Sequence, residues 1–170
     1  FLSTRPNEQI YNNATEGKKI IYVGSLAGLL PATPGHSHQS VRDISCLCAI
    51  PGLTMIEPCN EEETRLALRW AVEENQESTY IRLISIPRKL SYALPIDYRL
   101  KKGSGVRLRD GQQVALIAYG PTMLEETIGA AGLLENERIS TAVYNFPWLN
   151  FVSTEWLVKE LSAFEVLVTI

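Results

Sequence analysis

Apolar and polar positions fall in blocks that predict strands alternating with helices. Residues 19–23 form an apolar run closed by Gly24, the pattern of a strand. A loop bearing Gly and Pro follows over 25–38. From about Gln39, the residues Val41, Ile44, Ser45 and Cys48 share one face of a predicted helix, which Pro51 and Gly52 stop. Residues 53–56, Leu-Thr-Met-Ile, suit a strand buried on both faces. Asn60 then predicts the cap of a second helix, with Glu63 completing a capping box. Glu61, Glu62 and Glu63 are expected as solvated carboxylates at the positive end of that helix's dipole. Leu66 and Trp70, with Ala67 and Ala71, form its buried stripe, and 78–83 is the next strand. A β-α-β-α-β order implies a parallel sheet with right-handed crossovers. Ahead of it, 1–13 reads as partly helical, with Pro6 tolerable only near a helix start.

The pattern then breaks and resumes. Residues 84–104 hold Pro87 and Pro95, several basic residues and no period, and read as a connector. The expected division is a first unit over 1–88, a linker over 89–105 and a second α/β unit over 106–170. Within the last, 107–109 and 114–119 predict strands. Thr122 and Glu125 suggest a capping box for the helix that follows. Residues 139–145 form a strand, Ser153 caps a helix to Ala163, and 165–170 form a last strand.

The chain has 170 residues, 45% of them hydrophobic, enough for one medium domain or parts of two. A net charge of −3 with no basic stripe excludes a nucleic-acid-binding surface. Cys46 and Cys48 point to different faces of the predicted helix, which excludes a thioredoxin-type pair and most zinc spacings. Together with Cys59 they are expected as buried, reduced thiols of a cytoplasmic protein. No apolar run has the length of a membrane helix, and the first residues are not a signal peptide. No metal site is expected from these residues.

Candidate chemistry centres on GHSHQSVRDISCLCAIPGLTMIEP, which begins at Gly35 and holds both histidines, His36 and His38. They sit where a loop is expected to enter a helix at the edge of an open sheet, a common place for ligands. HSHQSVRDI followed by AIPGLTMIEPCNEEETRLAL resembles the pyrimidine-binding domain of the transketolase family of thiamine diphosphate enzymes. The family pattern is a Gly-Pro-Thr-His-Gln loop, a helix, "IPN" or "IPG", a strand ending in Pro, and an acidic helix start. Residues 112–119 resemble the opening of the family's C-terminal domain. The resemblance runs from Phe1 to Ile170 and is nearest to the split, two-gene transketolases. The 1-deoxyxylulose-phosphate synthases and the β subunits of pyruvate-type dehydrogenases are similar to a lesser degree.

This resemblance implies an α/β fold of parallel sheets flanked by helices: an incomplete pyrimidine-binding domain, then part of a transketolase C-terminal domain. It implies thiamine diphosphate with Mg as cofactor, bound mainly by other segments or by a partner subunit. In the family pattern the activating glutamate lies ahead of the position matched by Phe1, and the Gly-Asp-Gly metal motif has no match here. Phe1 matches the aromatic residue that stacks on the cofactor. His38 matches the catalytic, substrate-facing histidine; Gln39 and His36, the latter on a position that is usually Pro or Ala in the family, are candidate substrate contacts beside it. Three positions depart from the pattern: Leu26 replaces a histidine, Pro34 an aspartate and Ser85 a phosphate-binding arginine. The chain is expected to begin inside the first domain and to end inside the second. Three readings stand: a part of an enzyme that transfers a two-carbon ketol unit between sugar-type substrates in an oligomer; a non-catalytic subunit with an assembly role; and a pyruvate-dehydrogenase-type β subunit.

Overall fold

A computed structural model describes every residue except Phe1, Ala32, Pro34 and His36. The first unit contains α1 (Asn7–Thr15), β1 (Ile21–Gly24), α2 (Asp43–Leu47), β2 (Leu53–Ile56), α3 (Glu61–Glu73) and β3 (Ser78–Arg82). The second contains β4 (Val106–Arg109), β5 (Val114–Ala118), α4 (Gly120–Asn136), β6 (Thr141–Asn145), α5 (Thr154–Leu161) and β7 (Val166–Thr169). The strands of the first unit form a three-stranded sheet in the order β1-β3-β2, all parallel. Those of the second form a four-stranded sheet, β4-β6-β5-β7. There β4 runs antiparallel to β6 while the other pairs are parallel. Strand β4 arrives from the connector and not from a helical crossover, so nothing obliges it to run parallel.

Every residue of β2 and β3 is buried. In β3 that includes Ser78 and Thr79, whose hydroxyls are satisfied locally. Ser78 Oγ donates to the Lys18 carbonyl at 2.6 Å, and Asn75 Nδ2 donates to Thr79 Oγ1 at 2.9 Å. Strand β2 lies at the sheet edge, yet its backbone is not left open. Leu149 N–H donates to the Met55 carbonyl at 3.0 Å, and Glu57 N–H donates to the Pro147 carbonyl at 2.9 Å. Asn150 uses both ends of its amide, accepting from Met55 N–H at 2.9 Å and donating to the Leu53 carbonyl at 2.7 Å. The loop after β6 therefore closes an edge that would otherwise invite foreign strands. Trp70 of α3 and Trp148 of that loop meet edge to face, centroids 4.9 Å apart, in a core shared by Ile56, Ile81 and Leu100.

The connector is packed as well as irregular. Leu94 joins Leu116, Leu124 and Val143 in one core cluster, and Leu100 joins the tryptophans in another. Tyr92 O–H donates to the Cys59 carbonyl at 2.9 Å. Ser91 N–H donates to Glu125 Oε2 at 2.9 Å, so Glu125 holds the connector and makes no capping box. Helix α4 starts earlier than its sequence suggests, with Tyr119 as N-cap, no side-chain cap bond and Pro121 in its first turn.

Two further expectations need correction. The helix expected from Gln39 begins only at Asp43. Ser40 is drawn into a parallel bridge with Ala27: its N–H donates to the Leu26 carbonyl and its carbonyl accepts from Gly28 N–H, each at 2.9 Å. Extended backbone at 40 cannot also be helical, and the short helix buries Asp43 and Leu47 while Val41, Ser45 and Cys48 are exposed. Of the cysteines only Cys59 is buried, and all three are free thiols. The second concerns the acidic start of α3. Asn60 does cap it, its Oδ1 accepting from Glu63 N–H at 2.8 Å, and Glu61 and Glu62 are exposed. Glu63, however, is fully buried. Among the described residues no helix is long and apolar enough to cross a membrane.

Candidate functional site

Strand β1 ends at Gly24 because nothing larger fits: a Cβ there would collide with the Tyr80 hydroxyl from the neighbouring strand. The chain then turns through Leu26, whose φ of 56° lies in the left-handed region, a strained choice for a leucine. Leu26 N–H donates to Ser85 Oγ at 3.0 Å, and Ala27 N–H to the Leu83 carbonyl at 3.1 Å. The loop returns at 37–40. Gln39 Nε2 donates to the Leu29 carbonyl at 2.6 Å and to the Pro31 carbonyl at 2.8 Å. Its amide nitrogen thus pins the loop's backbone, a holding role that the sequence pattern did not indicate. His38 is exposed, and its Nδ1 shares a hydrogen bond of 2.9 Å with Ser37 Oγ.

These segments enclose a pocket of about 180 Å³ beside His38, with Ser3, Ser25, Ser40 and Tyr80 as its other polar groups among the described residues and Leu2, Val23 and Leu26 among its apolar ones. Ser3 Oγ and Ser40 Oγ lie 3.0 Å apart and share a hydrogen bond. None of the lining residues is an acid, a lysine or an arginine. The charges lie beneath. Tyr80 O–H donates to Asp43 Oδ2 at 3.0 Å, and Arg82 Nε donates to the same oxygen at 2.8 Å. Arg82 Nη1 also pairs with Glu57 Oε2. All four side chains are buried, and Asp43 Oδ1 has no hydrogen-bond partner among the described residues.

Burial, and then the adjacent Asp43 carboxylate, push the Tyr80 hydroxyl well above its ordinary range, so it stays a neutral donor. Glu57 is raised by burial, an effect that Arg82 opposes and Asp43 reinforces. Desolvation works against the Arg82 cation, but its two carboxylates outweigh that and raise it. The pocket therefore offers hydroxyls and an imidazole resting on a buried ionic layer. Such groups can hold the hydroxyl groups of a ligand and pass a proton, and no described lining residue brings a lysine or an arginine to a phosphate.

His38 and Gln39 come together on one loop, but only His38 faces the pocket with a polar ring. The expectations for Phe1 and His36 fall outside the described residues, as does Pro34. Sequence reading did not single out Ser3, Ser40 or Tyr80 for the site. Asp43 carried a usable signal, since it shares a buried helical face with Leu47 where only an apolar residue is ordinarily expected. Among the described residues no group of three or more His, Cys, Asp or Glu could hold a metal.

Residues 1–89 match the family described as "Transketolase, pyrimidine binding domain", and residues 103–170 match "Transketolase, C-terminal domain". The 1-deoxy-D-xylulose-5-phosphate synthase of Magnetococcus marinus is 31% identical over 147 residues, which are 85% of this chain and 23% of that protein. Its counterpart in Polaromonas naphthalenivorans is 29% identical over 173 residues, covering 100% of this chain and 26% of the relative. The chain thus spans about a quarter of the length of these curated relatives. Among solved structures, a split gene transketolase described as an inactive beta4 tetramer superposes with a TM-score of 0.83 at 26% identity. That match covers 99% of this chain and 53% of the other. A transketolase mutant from Pichia stipitis shares the fold, with a TM-score of 0.76 at 19% identity over 96% of this chain and 24% of that one. With both of its α/β units matched in order, the chain belongs to the transketolase family.

Proposed function

We propose that this chain supplies the His38 wall of a thiamine diphosphate-dependent, transketolase-like enzyme that transfers a two-carbon ketol unit between unphosphorylated, hydroxylated substrates. The observation that carries this reading is the lining of the His38 pocket, polar but with no lysine or arginine among the described residues. At two of the three departures from the family pattern, Leu26 and Ser85 spend their polar groups on each other. A serine hydroxyl occupied by a backbone N–H cannot do what a free guanidinium does for a phosphate. His38, exposed at the rim, would hydrogen-bond a substrate hydroxyl and take part in moving its proton. Ser40 and Ser3 would orient a second hydroxyl, and buried Tyr80 would keep the floor rigid.

The described residues do not fit the charged end of the cofactor. No group of three or more His, Cys, Asp or Glu that could hold a metal is present among them, and no described lysine or arginine lines the pocket to meet a diphosphate. Diphosphate and Mg would be held by another segment or by a partner subunit in a cytoplasmic oligomer. The split transketolase among the structural relatives supports that arrangement.

The test uses the complete enzyme with all partner domains present. His38→Ala should lower turnover ~10²–10⁴-fold, the usual effect of losing a proton-transfer group, and leave the unfolding midpoint unchanged. Unphosphorylated ketoses should be preferred over their phosphates in kcat/KM. Preference for phosphates, or a His38→Ala enzyme as active as its parent, would overturn the reading.

A second reading, a non-catalytic subunit kept for assembly, draws on the same Leu26–Ser85 tie and on the inactive tetramer among the relatives. It gains if the fully assembled, cofactor-loaded protein turns over no ketose of either kind.

A further inference from the structure

A second cleft, of about 390 Å³, opens on the other unit, between the connector, β4 and α5. Arg99 and Lys101 reach it from the connector, Arg107 from β4 and Lys159 from α5. Glu155 and Glu160 are its acids. Four cations against two carboxylates leave an excess of positive charge in a chain whose net charge is −3.

The cations are not equivalent. Arg107 is held: its Nε donates to the Tyr144 hydroxyl at 2.7 Å, and its Nη2 lies 3.8 Å from Glu160. Lys159 lies 3.9 Å from the same carboxylate. Arg99 and Lys101 have no ion pair or side-chain hydrogen bond among the described residues. Isolated surface cations are ordinary and need no ligand. Here, however, two cations without an ion pair among the described residues enter a cleft whose α5 wall is distant in sequence and whose remaining walls are rigidly built. Trp148 Nε1 donates to the Ser104 carbonyl at 3.0 Å, which fixes the floor. Gly105 leaves no space for a Cβ between the Asn145 carbonyl and the Trp156 ring. Trp156 is wedged against Phe146 at 5.1 Å and Tyr144 at 6.0 Å.

We propose that this cleft is a binding site for a small phosphorylated metabolite, gripped by Arg99 and Lys101 against the wall formed by Arg107 and Trp156. The volume is that of a small-ligand pocket. A guanidinium fork beside an ammonium matches the oxygens of a phosphate dianion. Because two of its cations belong to the connector and the rest to the second unit, an occupant would bind these two elements to each other. The site is independent of the His38 pocket, from which it differs in having basic groups.

Titration of the full chain with inorganic phosphate tests this, followed by ¹⁵N-indole resonances and by calorimetry, with sodium chloride matched for ionic strength as control. The Trp156 indole resonance should move saturably with phosphate and stay still with chloride. The double variant Arg99→Ala/Lys101→Ala should weaken binding at least ~10-fold, whereas His38→Ala should bind as the parent does. Both replaced side chains are exposed, so the unliganded unfolding midpoint should not change. No saturable response, a response that chloride reproduces, or equal binding by the double variant would overturn the proposal.

Discussion

Two glutamates, one just after β2 and one in the first turn of α3, are buried in opposite ways. Glu57 meets a cation: Arg82 joins it to Asp43 inside the first unit. Glu63 meets none among the described residues. Its oxygens accept from Cys59 N–H at 2.7 Å, Tyr98 O–H at 2.7 Å and Asn145 Nδ2 at 2.8 Å. Those donors come from its own helix entry, from the connector and from β6. Pairing with a cation settles charge locally, beneath the pocket; neutral donors spread one carboxylate over three segments. The first arrangement makes a floor and the second makes a joint. A buried charge pair is a poor guide to net stability, but removing one partner is costly, so substitutions can separate the two roles.

The largest effect is expected from Arg82→Met, which leaves Asp43 and Glu57 buried together without a cation. A loss of about 3–5 kcal/mol should appear in denaturant unfolding. Adding Asp43→Asn and Glu57→Gln should restore much of it; an unchanged midpoint in the single variant would deny the floor its role. Glu63→Met should follow at about 3 kcal/mol, since three donors lose their acceptor. Its distinguishing mark is cooperativity: the two units should begin to unfold in separate transitions, which Arg82→Met should not cause. Tyr98→Phe removes one of those donors, at about 1–2 kcal/mol. It should also raise the rate of tryptic cleavage at Arg99, Lys101 and Lys102. Cleavage there no faster than in the parent would mean that packing of Leu94 and Leu100 alone secures the connector.

Glu57→Gln should have the smallest effect, visible in the dependence of stability on pH. The folded state raises the Glu57 pKa, so it binds that proton more tightly than the unfolded chain does. This contribution is complete below the unfolded pKa and fades as pH rises through the folded value. The variant should lack that fall in stability just above the ordinary glutamate range. A pH profile identical to the parent's would show that Arg82 keeps Glu57 ionised.

Much of the fold was legible because it is written locally. The caps at Asn60 and Ser153 and the apolar run of β2 need only their neighbours in sequence. The false helix start at Gln39 and the true burial of Glu63 share a cause: each is decided by residues far along the chain. Ser40 answers to Ala27 and Glu63 to Tyr98 and Asn145, and no periodicity records such partners. The site divides in the same way. The His38 loop could be recognised from a contiguous pattern, while Ser3 and Tyr80 reach the pocket from a distant turn and a neighbouring strand.

The left-handed turn at Leu26 makes substitutions at positions 26 and 85 unequal in cost. Histidine tolerates that backbone better than leucine does, so Leu26→His is sterically open and could even ease strain. Ser85→Arg comes at a disadvantage, because it deletes the oxygen that receives the Leu26 N–H and leaves the turn to the Ala27–Leu83 and Ser40–Leu26 backbone bonds. One turn of backbone thus accepts a new ring at position 26 more readily than it gives up the hydroxyl at position 85.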